Sequence, residues 1–462
     1  MKKAALICGV VGGAFIGWKL RHRTPSFERT LHAQRGGVEL DGHLNEALQG
    51  QGNLGRGWQD PCEAAVDRSL RHVRRMMLEQ GIPGAVLAVS KNGKLVLSIG
   101  LGYSDIENGV PCTPQTVLRI ASISKAMTAV ALMQLWERGK VDLDAPIQRY
   151  VPCFPEKEFA GKPVAITTRQ LLTHTAGIRH YSKDLPAAGT VRDEFKQAEY
   201  YIKDHYDSVK DSIQIFAKDN LLYEPGQKFH YTTHAWTLIS AVIESASGKN
   251  FLDYMDENVF QPLGMTSTFP EVHTTLLYGR SRHYCRDGNG ALLNAAYVDN
   301  SYKWAGGGFV SNAEDLVKLG SAVLASLQDG LGTIAEQPPA LPEGPSLLLQ
   351  PKTVETMWTP VVSMGMGDFP KYQYGLGWFV VPYRESVLCG RETPFSAGHS
   401  GGTIGATSAL VVLPTRGGGA WKEGGRCGQP APRGVVVAVI FNLQGVRHVY
   451  KLGLKIAEEF DY

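Results

Sequence analysis

The 462-residue sequence predicts an α/β (α+β) domain in which both ends of the domain contribute strands to one sheet. Two apolar runs joined by Asn92-Gly93 lie near its start, and this dipeptide is typical of a tight hairpin turn. Strand-like runs return in the last third, at Ser408–Pro414 and Arg433–Gln444. A mainly helical and loop region separates them, so the pattern predicts a helical subdomain inserted into the fold.

Composition is that of an ordinary globular protein, and it excludes several classes of function. Hydrophobic residues make up 43% and charged residues 20%, and the net charge of +3 comes without a basic run, so nothing favours nucleic-acid binding. The seven cysteines are widely spread without a C-x-x-C pair, which indicates neither a zinc ribbon nor a redox pair. We expect no metal and no cofactor.

The first 30 residues predict a targeting segment or a short membrane anchor. Two lysines precede a mostly apolar stretch, Ala4 to Trp18, that is short for a membrane span and is followed by the basic run KLRHR. This acid-poor segment favours mitochondrial targeting over secretion, and an anchor here would attach the protein to a membrane. Residues 31–60 are predicted to be a flexible, Gly-rich linker, which leaves 61–462 as one domain.

The elements of that domain follow from the hydrophobic pattern. Pro61 to Gln80 has a helical apolar face, formed by Val66, Leu70, Val73 and Met77. The hairpin in GAVLAVSKNGKLVLSIGLGYSD comes next, and an apolar helix then begins near Ser122. A Gly-rich loop, Thr415 to Pro432, separates the two late strands, and a closing helix is predicted from Leu452 to Phe460.

Residues 191–218 form a charged insertion with a helical apolar pattern. Its apolar residues alternate at spacings of four and three: Ile202, Tyr206, Val209, Ile213 and Phe216. The spacing predicts an amphipathic helix that docks on its own domain. A short coiled-coil surface for a partner is the alternative interpretation.

Ser122 and Lys125 stand three residues apart in RIASISKAMTAVALMQLWERGK, on one helix face and among apolar neighbours. A serine hydroxyl becomes a nucleophile when a nearby base takes its proton, and a lysine serves if burial keeps it partly neutral. Taken alone, the pair is better explained by a capping serine beside a lysine that extends to solvent.

Further motifs follow in chain order and add chemistry to this pair. EPGQKFHYTTHAW carries Tyr231 and Thr233, and SAGHSGGTIGA carries His399, Ser400 and Gly402 before a strong strand. With LLTHTAGI, PLGMTST and AGGGFVSNAEDL, these motifs resemble the penicillin-binding-protein-like serine hydrolases, which include class C beta-lactamases, D-alanyl carboxypeptidases and related esterases. GLGYSDIENGVPC and YVDNSYKWAGGGF are similar to the mitochondrial serine beta-lactamase-like proteins of animals.

The resemblance covers roughly Cys62 to Tyr462 and implies both a fold and a function. The implied fold is beta-lactamase/transpeptidase-like, with helices flanking an antiparallel sheet. The implied function is that of a serine peptidase in the mitochondrial intermembrane space, which cleaves a peptide or protein substrate through an acyl-enzyme. Homo-oligomers or filaments and a link to lipid metabolism are implied as well.

Carried over by position, the resemblance makes Ser122 the nucleophile and Lys125 its proton acceptor. Tyr231 is the implied general acid/base that passes a proton to the leaving group. Thr233 stands where many relatives carry an asparagine, so a hydroxyl replaces an amide that would hold substrate and lysine.

The third motif supplies the remaining implied contacts. His399 and Ser400 stand where relatives usually have Lys-Thr-Gly or His-Thr-Gly, and they are expected to orient the substrate. Histidine is a weaker, pH-dependent cation at such a position. The backbone N–H groups of Ser122 and Gly402 are expected to form the oxyanion hole.

Two other catalytic sites are weaker interpretations of the same residues. The sequence GHSGG fits a nucleophile elbow with Ser400, for which His448 and Glu423 would complete a triad, but strand-like residues follow where a helix is required. His230 and His234 have zincin spacing but lack the glutamate that such a motif needs.

Two further classes of function remain open. An esterase would use the same acyl-enzyme steps as a peptidase. A self-assembling structural protein on a hydrolase scaffold would use the N-terminal segment and the 191–218 insertion, with its chemistry incidental.

Overall fold

The computed structural model describes residues 60–181, 197–329, 348–365, 372–385, 392–415 and 434–461. The predicted targeting segment, linker and Gly-rich loop lie outside these ranges, apart from Asp60 and Thr415 at their edges. Residues 59–462 form one compact unit. Within the described ranges, no helix combines the length and apolar character needed to cross a bilayer.

The first two thirds of the domain contain both strands and helices. The first ones are α1 (Pro61–Gln80), β1 (Gly84–Lys91), β2 (Lys94–Asp105), β3 (Val110–Pro111), β4 (Leu118–Arg119), α2 (Ile123–Glu137), β5 (Lys157–Phe159), β6 (Lys162–Val164) and α3 (Thr168–Leu172). There follow α4 (Val209–Ile213), α5 (His234–Ser247), α6 (Phe251–Met255), β7 (Phe269–Pro270), β8 (Tyr284–Arg286), β9 (Leu292–Asn294), α7 (Trp304–Gly307), β10 (Phe309–Ser311) and α8 (Ala313–Asp329).

The last third supplies most of the main sheet. Its elements are α9 (Pro351–Trp358), β11 (Val362–Ser363), β12 (Gln373–Tyr374), β13 (Phe379–Val381), β14 (Arg384–Glu385), β15 (Glu392–Thr393), β16 (Ser396–Thr403), β17 (Ala406–Pro414), β18 (Gly434–Phe441) and α10 (Val449–Phe460). Short 3-10 turns lie at Ile147–Arg149, Ala198–Tyr201 and Ser301–Lys303.

The main sheet has nine strands in the order β11-β12-β13-β16-β17-β18-β1-β2-β3. All of its paired strands run antiparallel, and β1 pairs with β18 in the register Ala85↔Phe441. Because β1 and β18 come from opposite ends of the domain, the predicted sheet built from both termini is confirmed.

Helices cover both faces of this sheet. Alternate residues of β1, such as Leu87, pack with α1 and α10, whereas Val86 and Ala88 join the core around α2 and α8. Strands buried on both faces need no polar alternation. This explains why the β18 sequence GVVVAVIF is apolar throughout.

Helix α2 runs through the larger core. Its residues from Ile123 to Leu135 are all buried, and apolar side chains surround the helix on every side. Helices α5 and α7 pack against it. The helix therefore holds Ser122, at its N-terminal end, in a fixed position relative to the core.

Several local predictions are confirmed closely. Helix α1 spans the predicted Pro61–Gln80, with the Asp60 side chain accepting from the backbone N–H of Cys62. Asn92 and Gly93 have φ angles of +52° and +75°, as a tight hairpin turn requires. The closing helix begins at Val449, a few residues before the predicted start.

The single amphipathic helix predicted over residues 191–218 is wrong for its described part. From residue 197 onward, this segment contains the 3-10 turn Ala198–Tyr201 and the short helix α4. Tertiary contacts override the periodic pattern here. The Tyr206 backbone donates to Ser301 Oγ, and Ser208 caps α4 by accepting from the backbone N–H of Asp211.

Candidate active site

The start of α2 brings the side chains of Ser122 and Lys125 together. Ser122 immediately precedes the helix, and Lys125 lies one turn further along the same face. The distance between Ser122 Oγ and Lys125 Nζ is 3.0 Å. Lys125 is fully buried, whereas Ser122 is half-buried and lines a cavity. The serine hydroxyl therefore contacts the amine on one side and faces open space on the other.

The backbone before Ser122 is held by close contact with β16. Ala121 has a φ of +50°, which is uncommon for a residue with a side chain. Strand β16 passes this turn at Gly401, where an added Cβ would lie 2.3 Å from the carbonyl oxygen of Ile120. Ser408 Oγ donates to the same carbonyl at 2.7 Å. Only glycine at 401 permits so close an approach.

Two further acceptors surround the Lys125 amine. Its Nζ lies 2.5 Å from the carbonyl oxygen of Gly306 and 3.4 Å from Oγ1 of Thr233. A side chain at Gly306 would collide with Thr233, since an added Cβ would lie 2.5 Å from its Cγ2. The motif indicated Thr233, but a backbone carbonyl has no side-chain signature, and only the run of glycines in AGGGF marks this close approach.

Burial lowers the pKa of Lys125 well below its usual range, and the positive charge of Lys303 lowers it further. Across the described ranges, no carboxylate counteracts these two effects. A neutral amine donates its two N–H bonds to Gly306 and Thr233 and keeps a lone pair for the Ser122 proton. The surroundings of Lys125 are thus those of a general base.

Tyr231 completes the group around Ser122. Its hydroxyl interacts electrostatically with Ser122, and its ring centroid lies 4.9 Å from Lys125 Nζ. Burial raises the pKa of Tyr231 well above its usual value. The phenol is therefore protonated at neutral pH, so it is placed to donate a proton, whereas Lys125 is the group able to accept one.

His399 lies behind the wall of the cavity. Its ring is fully buried, with Nε2 2.9 Å from the Tyr374 hydroxyl and Nδ1 2.6 Å from the carbonyl oxygen of Ser400. Burial and the charge of Lys125 lower the pKa of His399 to about 3. The expected pH-dependent cation facing the substrate is therefore wrong: the imidazole is buried and neutral, and it does not line the cavity.

Ser400 and Gly402 line the same cavity as Ser122. Both lie on β16, within one strand that continues through a turn into β17. A nucleophile elbow requires a helix after its serine, so Ser400 lacks that setting. The oxyanion hole formed by the backbone N–H groups of Ser122 and Gly402 stays a prediction.

His234 of the HYTTH motif takes part in buried polar contacts. His234 Nε2 lies 2.8 Å from Glu199 and 3.2 Å from an Arg179 nitrogen, inside a buried ion-pair network. Across the part of the chain that the structure describes, no group of three or more His, Cys, Asp or Glu residues is arranged to hold a metal ion.

The cavity in front of Ser122 has a volume of about 220 Å³. Besides residues already described, its lining includes Tyr181, Tyr200, Lys303, Gly307, Met364, Phe379 and Thr403. Tyr200 belongs to the 191–218 insertion, which therefore contributes directly to the site.

Lys303 is the most unusual of these lining residues. Only 3% of it is exposed, and its Nζ lies 5.5 Å, 5.5 Å and 5.1 Å from the ring centroids of Tyr181, Tyr200 and Tyr302. Within the described ranges, its ammonium group forms no hydrogen bond or ion pair. Burial and the charge of Arg119 lower its pKa to about 7, against the opposing effects of Glu271 and Asp299.

Comparisons with known proteins identify sequences that are related to this chain. The Beta-lactamase family model matches residues 70–457. The human serine beta-lactamase-like protein LACTB, mitochondrial, is 38% identical over 458 residues, covering 87% of this chain and 81% of that protein. Esterase EstB of Burkholderia gladioli is 28% identical over 283 residues, covering 57% of this chain and 69% of that protein.

Solved structures share the fold. The octameric penicillin-binding protein homologue from Pyrococcus abyssi matches with a TM-score of 0.62 and 24% identity, over 85% of this chain and 75% of that one. A D-stereospecific amidohydrolase from Streptomyces sp. matches with a TM-score of 0.59 and 23% identity, over 86% and 98% of the two chains. The expected beta-lactamase/transpeptidase-like architecture is confirmed.

Proposed function

The chain belongs to the beta-lactamase family of serine hydrolases, and on that premise we propose that it cleaves its substrate through an acyl-enzyme formed on Ser122. The observation that carries this proposal is the 3.0 Å contact between Ser122 Oγ and a buried lysine amine without a carboxylate partner. A charged lysine could not take the serine proton, and a neutral one can.

Acylation follows from the placement of the side chains. Neutral Lys125 accepts the hydroxyl proton as Ser122 Oγ bonds to the substrate carbonyl carbon. The backbone N–H groups of Ser122 and Gly402 stabilise the negative charge that develops on the carbonyl oxygen. As the bond to the leaving group breaks, a proton returns to that group through the Tyr231 hydroxyl. Water then attacks the acyl-enzyme, and the same groups carry the protons in reverse order.

Within this family of serine hydrolases, we propose that the protein is a mitochondrial peptidase. The mitochondrial relatives and the basic N-terminal segment support mitochondrial localisation, and we propose the intermembrane space with attachment through residues 1–30. The octameric homologue supports a homo-oligomer. Filament assembly and a role in lipid metabolism are proposed from the resemblance to the mitochondrial serine beta-lactamase-like proteins alone. An esterase is the second candidate, favoured by the similarity to EstB and by a hydroxyl at Thr233 in place of an amide.

A fluorophosphonate probe tests the nucleophile directly. We expect a single covalent adduct on Ser122, located by peptide mapping of the labelled protein. The Ser400→Ala variant should label normally, and the Ser122→Ala variant should not label at all. An adduct on Ser400 would reject the proposed site.

Matched peptide and ester libraries, compared for the wild type and Ser122→Ala, then decide between the peptidase and the esterase.

Lys303 predicts a preference for substrates that carry a carboxylate close to the scissile bond. An anion in the cavity would supply the partner that this buried ammonium lacks. For the Lys303→Met variant we expect KM to rise roughly tenfold for a carboxylated substrate and to change little for its neutral amide, as expected for loss of one charge-assisted contact. Steady-state kinetics with the two matched substrates measures this difference.

The control for Lys303 is another lysine that is buried outside the cavity. Lys157 Nζ donates to the backbone carbonyls of Ala217 and Asp219, at 2.6 Å and 2.7 Å. The Lys157→Met variant should leave the ratio of the two KM values unchanged. An equal rise of both KM values in Lys303→Met would show that Lys303 does not recognise the carboxylate.

A further inference from the structure

Two buried histidines and a tyrosine form a line of hydrogen bonds behind the cavity. At one end, the backbone N–H of Thr232 donates to His174 Nδ1 at 3.1 Å. His174 Nε2 lies 3.1 Å from the Tyr374 hydroxyl, which lies 2.9 Å from His399 Nε2. At the other end, His399 Nδ1 lies 2.6 Å from the carbonyl oxygen of Ser400. The line thus joins the Tyr231 motif to strand β16.

The two backbone groups at its ends fix every proton in this line. A backbone N–H only donates, so His174 Nδ1 is an acceptor and its neutral ring carries the proton on Nε2. A carbonyl only accepts, so His399 carries its proton on Nδ1 and accepts at Nε2. The Tyr374 hydroxyl therefore accepts from His174 and donates to His399. Each donor has an acceptor, and only neutral rings satisfy the arrangement.

The surroundings keep both rings neutral. His174, Tyr374 and His399 are fully buried. Burial lowers the pKa of His174 well below its usual range, and a positive charge on the neighbouring Lys125, His399, His180 or His230 would lower it further. The low pKa of His399 has the same first cause, and burial raises the pKa of Tyr374. No group in this line titrates near neutral pH, so the direction of its hydrogen bonds persists.

Both ends of this line of hydrogen bonds lie close to groups around Ser122. The His174 ring packs against Tyr231, with 4.3 Å between centroids. His174 itself has a φ of +58°, and its carbonyl accepts from the backbone N–H of His230 at 2.9 Å. A residue with a side chain keeps this backbone conformation only where surrounding contacts impose it. At the far end, Ser400 lies two residues before Gly402 on the same strand.

We propose that Tyr374 is a positioning residue for the acyl-enzyme reaction, acting through His174 and His399. It fixes the separation between the Tyr231 hydroxyl and the Gly402 backbone, and so between the proton donor and one donor of the oxyanion hole. This inference rests on the proposed function of Ser122. It also gives His399 a role: its ring accepts a hydrogen bond from Tyr374 instead of binding substrate.

The Tyr374→Phe variant tests the inference because it removes only the hydroxyl. We expect kcat to fall roughly 10- to 100-fold while KM stays within about threefold, since the contacts that bind substrate remain. The second readout is ¹⁵N NMR of histidine-labelled protein, with His174 and His399 assigned from their own variants. In the wild type, His174 should be the Nε2–H tautomer and His399 the Nδ1–H tautomer. In Tyr374→Phe, both should show mixed tautomers.

The control is Tyr254, a buried tyrosine whose hydroxyl lies 3.5 Å from Gln134 Oε1 and 3.4 Å from an Arg138 nitrogen. Tyr254→Phe should leave kcat and both tautomers unchanged. Unaltered tautomers and kcat in Tyr374→Phe would overturn the inference. So would equal losses of kcat in the two variants. Because the NMR readout requires no turnover, it stays valid if Ser122 proves not to be the nucleophile.

A second variant, His399→Lys, covers the case in which Tyr374→Phe does not fold. It introduces the lysine of the Lys-Thr-Gly form of the third motif. A protonated lysine here buries a charge and has no lone pair with which to accept from Tyr374, so we expect kcat to fall at least tenfold. Wild-type or higher activity would contradict the inference.

Discussion

Replacing Ser122 by alanine is expected to lower kcat/KM by roughly 10⁴- to 10⁶-fold, to the level of the remaining binding and oxyanion contacts. The variant removes one oxygen from a half-buried position and leaves Lys125 with its contacts to Gly306 and Thr233. The fold should therefore persist, with a melting temperature within a few degrees of the wild type. Progress curves with the best substrate of the peptide and ester libraries measure the loss.

Ser400→Ala is the matched control for this result, because Ser400 lines the same cavity without contacting Lys125. We expect it to keep activity within about tenfold of the wild type. Residual turnover in Ser122→Ala above one per cent would contradict the assignment of the nucleophile. The same variant separates enzyme from scaffold: if Ser122→Ala retains every assembly and cellular property, the structural alternative holds.

Replacing Lys125 by methionine is expected to lower kcat/KM by roughly 10²- to 10⁴-fold, the usual range for loss of a general base. Methionine has a similar length and fits an apolar site, so the loss should reflect chemistry more than packing. The Gly306 carbonyl loses a donor in this variant, and a buried unpaired acceptor costs about 1–3 kcal/mol of stability. Urea denaturation measures that cost separately from the kinetics.

The pH profile distinguishes a base from a merely structural lysine. Only neutral Lys125 accepts the Ser122 proton, so wild-type kcat/KM should rise as pH rises through the Lys125 pKa. Lys303 lowers that pKa through charge repulsion. The Lys303→Met variant should therefore raise it and move the acidic limb of the profile to higher pH. In Lys125→Met the limb should disappear, whereas Lys157→Met should leave it in place. An unmoved limb in Lys125→Met would exclude Lys125 as the base.

Most of the fold could be predicted from the sequence because the strongest sequence signals are local. The hairpin turn at Asn92-Gly93 and the continuous apolar strands each needed only neighbouring residues to be recognised. The 191–218 insertion could not be predicted in this way. Its apolar spacing is that of a helix, but Ser301 and the core around Phe216 are contributed by distant parts of the chain.

The same distinction between local and long-range contacts applies to the residues of the site. Ser122 and Lys125 are one helical turn apart, so their contact follows from sequence spacing. The tyrosine contacts of Lys303 and the burial of His399 depend on how remote segments pack, and no spacing encodes them. The roles proposed for Lys303 and Tyr374 therefore rest on the three-dimensional arrangement alone.

The pairing of β1 with β18 has a consequence for biogenesis. Strand β1 emerges from the ribosome well before β18, and one of its hydrogen-bonding edges has no partner until β18 has been synthesised. Such long-range closure slows folding and leaves an apolar β-hairpin exposed to aggregation in the meantime. We therefore expect C-terminal truncations that remove β18 to yield insoluble protein, and nascent chains to depend on chaperones until the final strand is released.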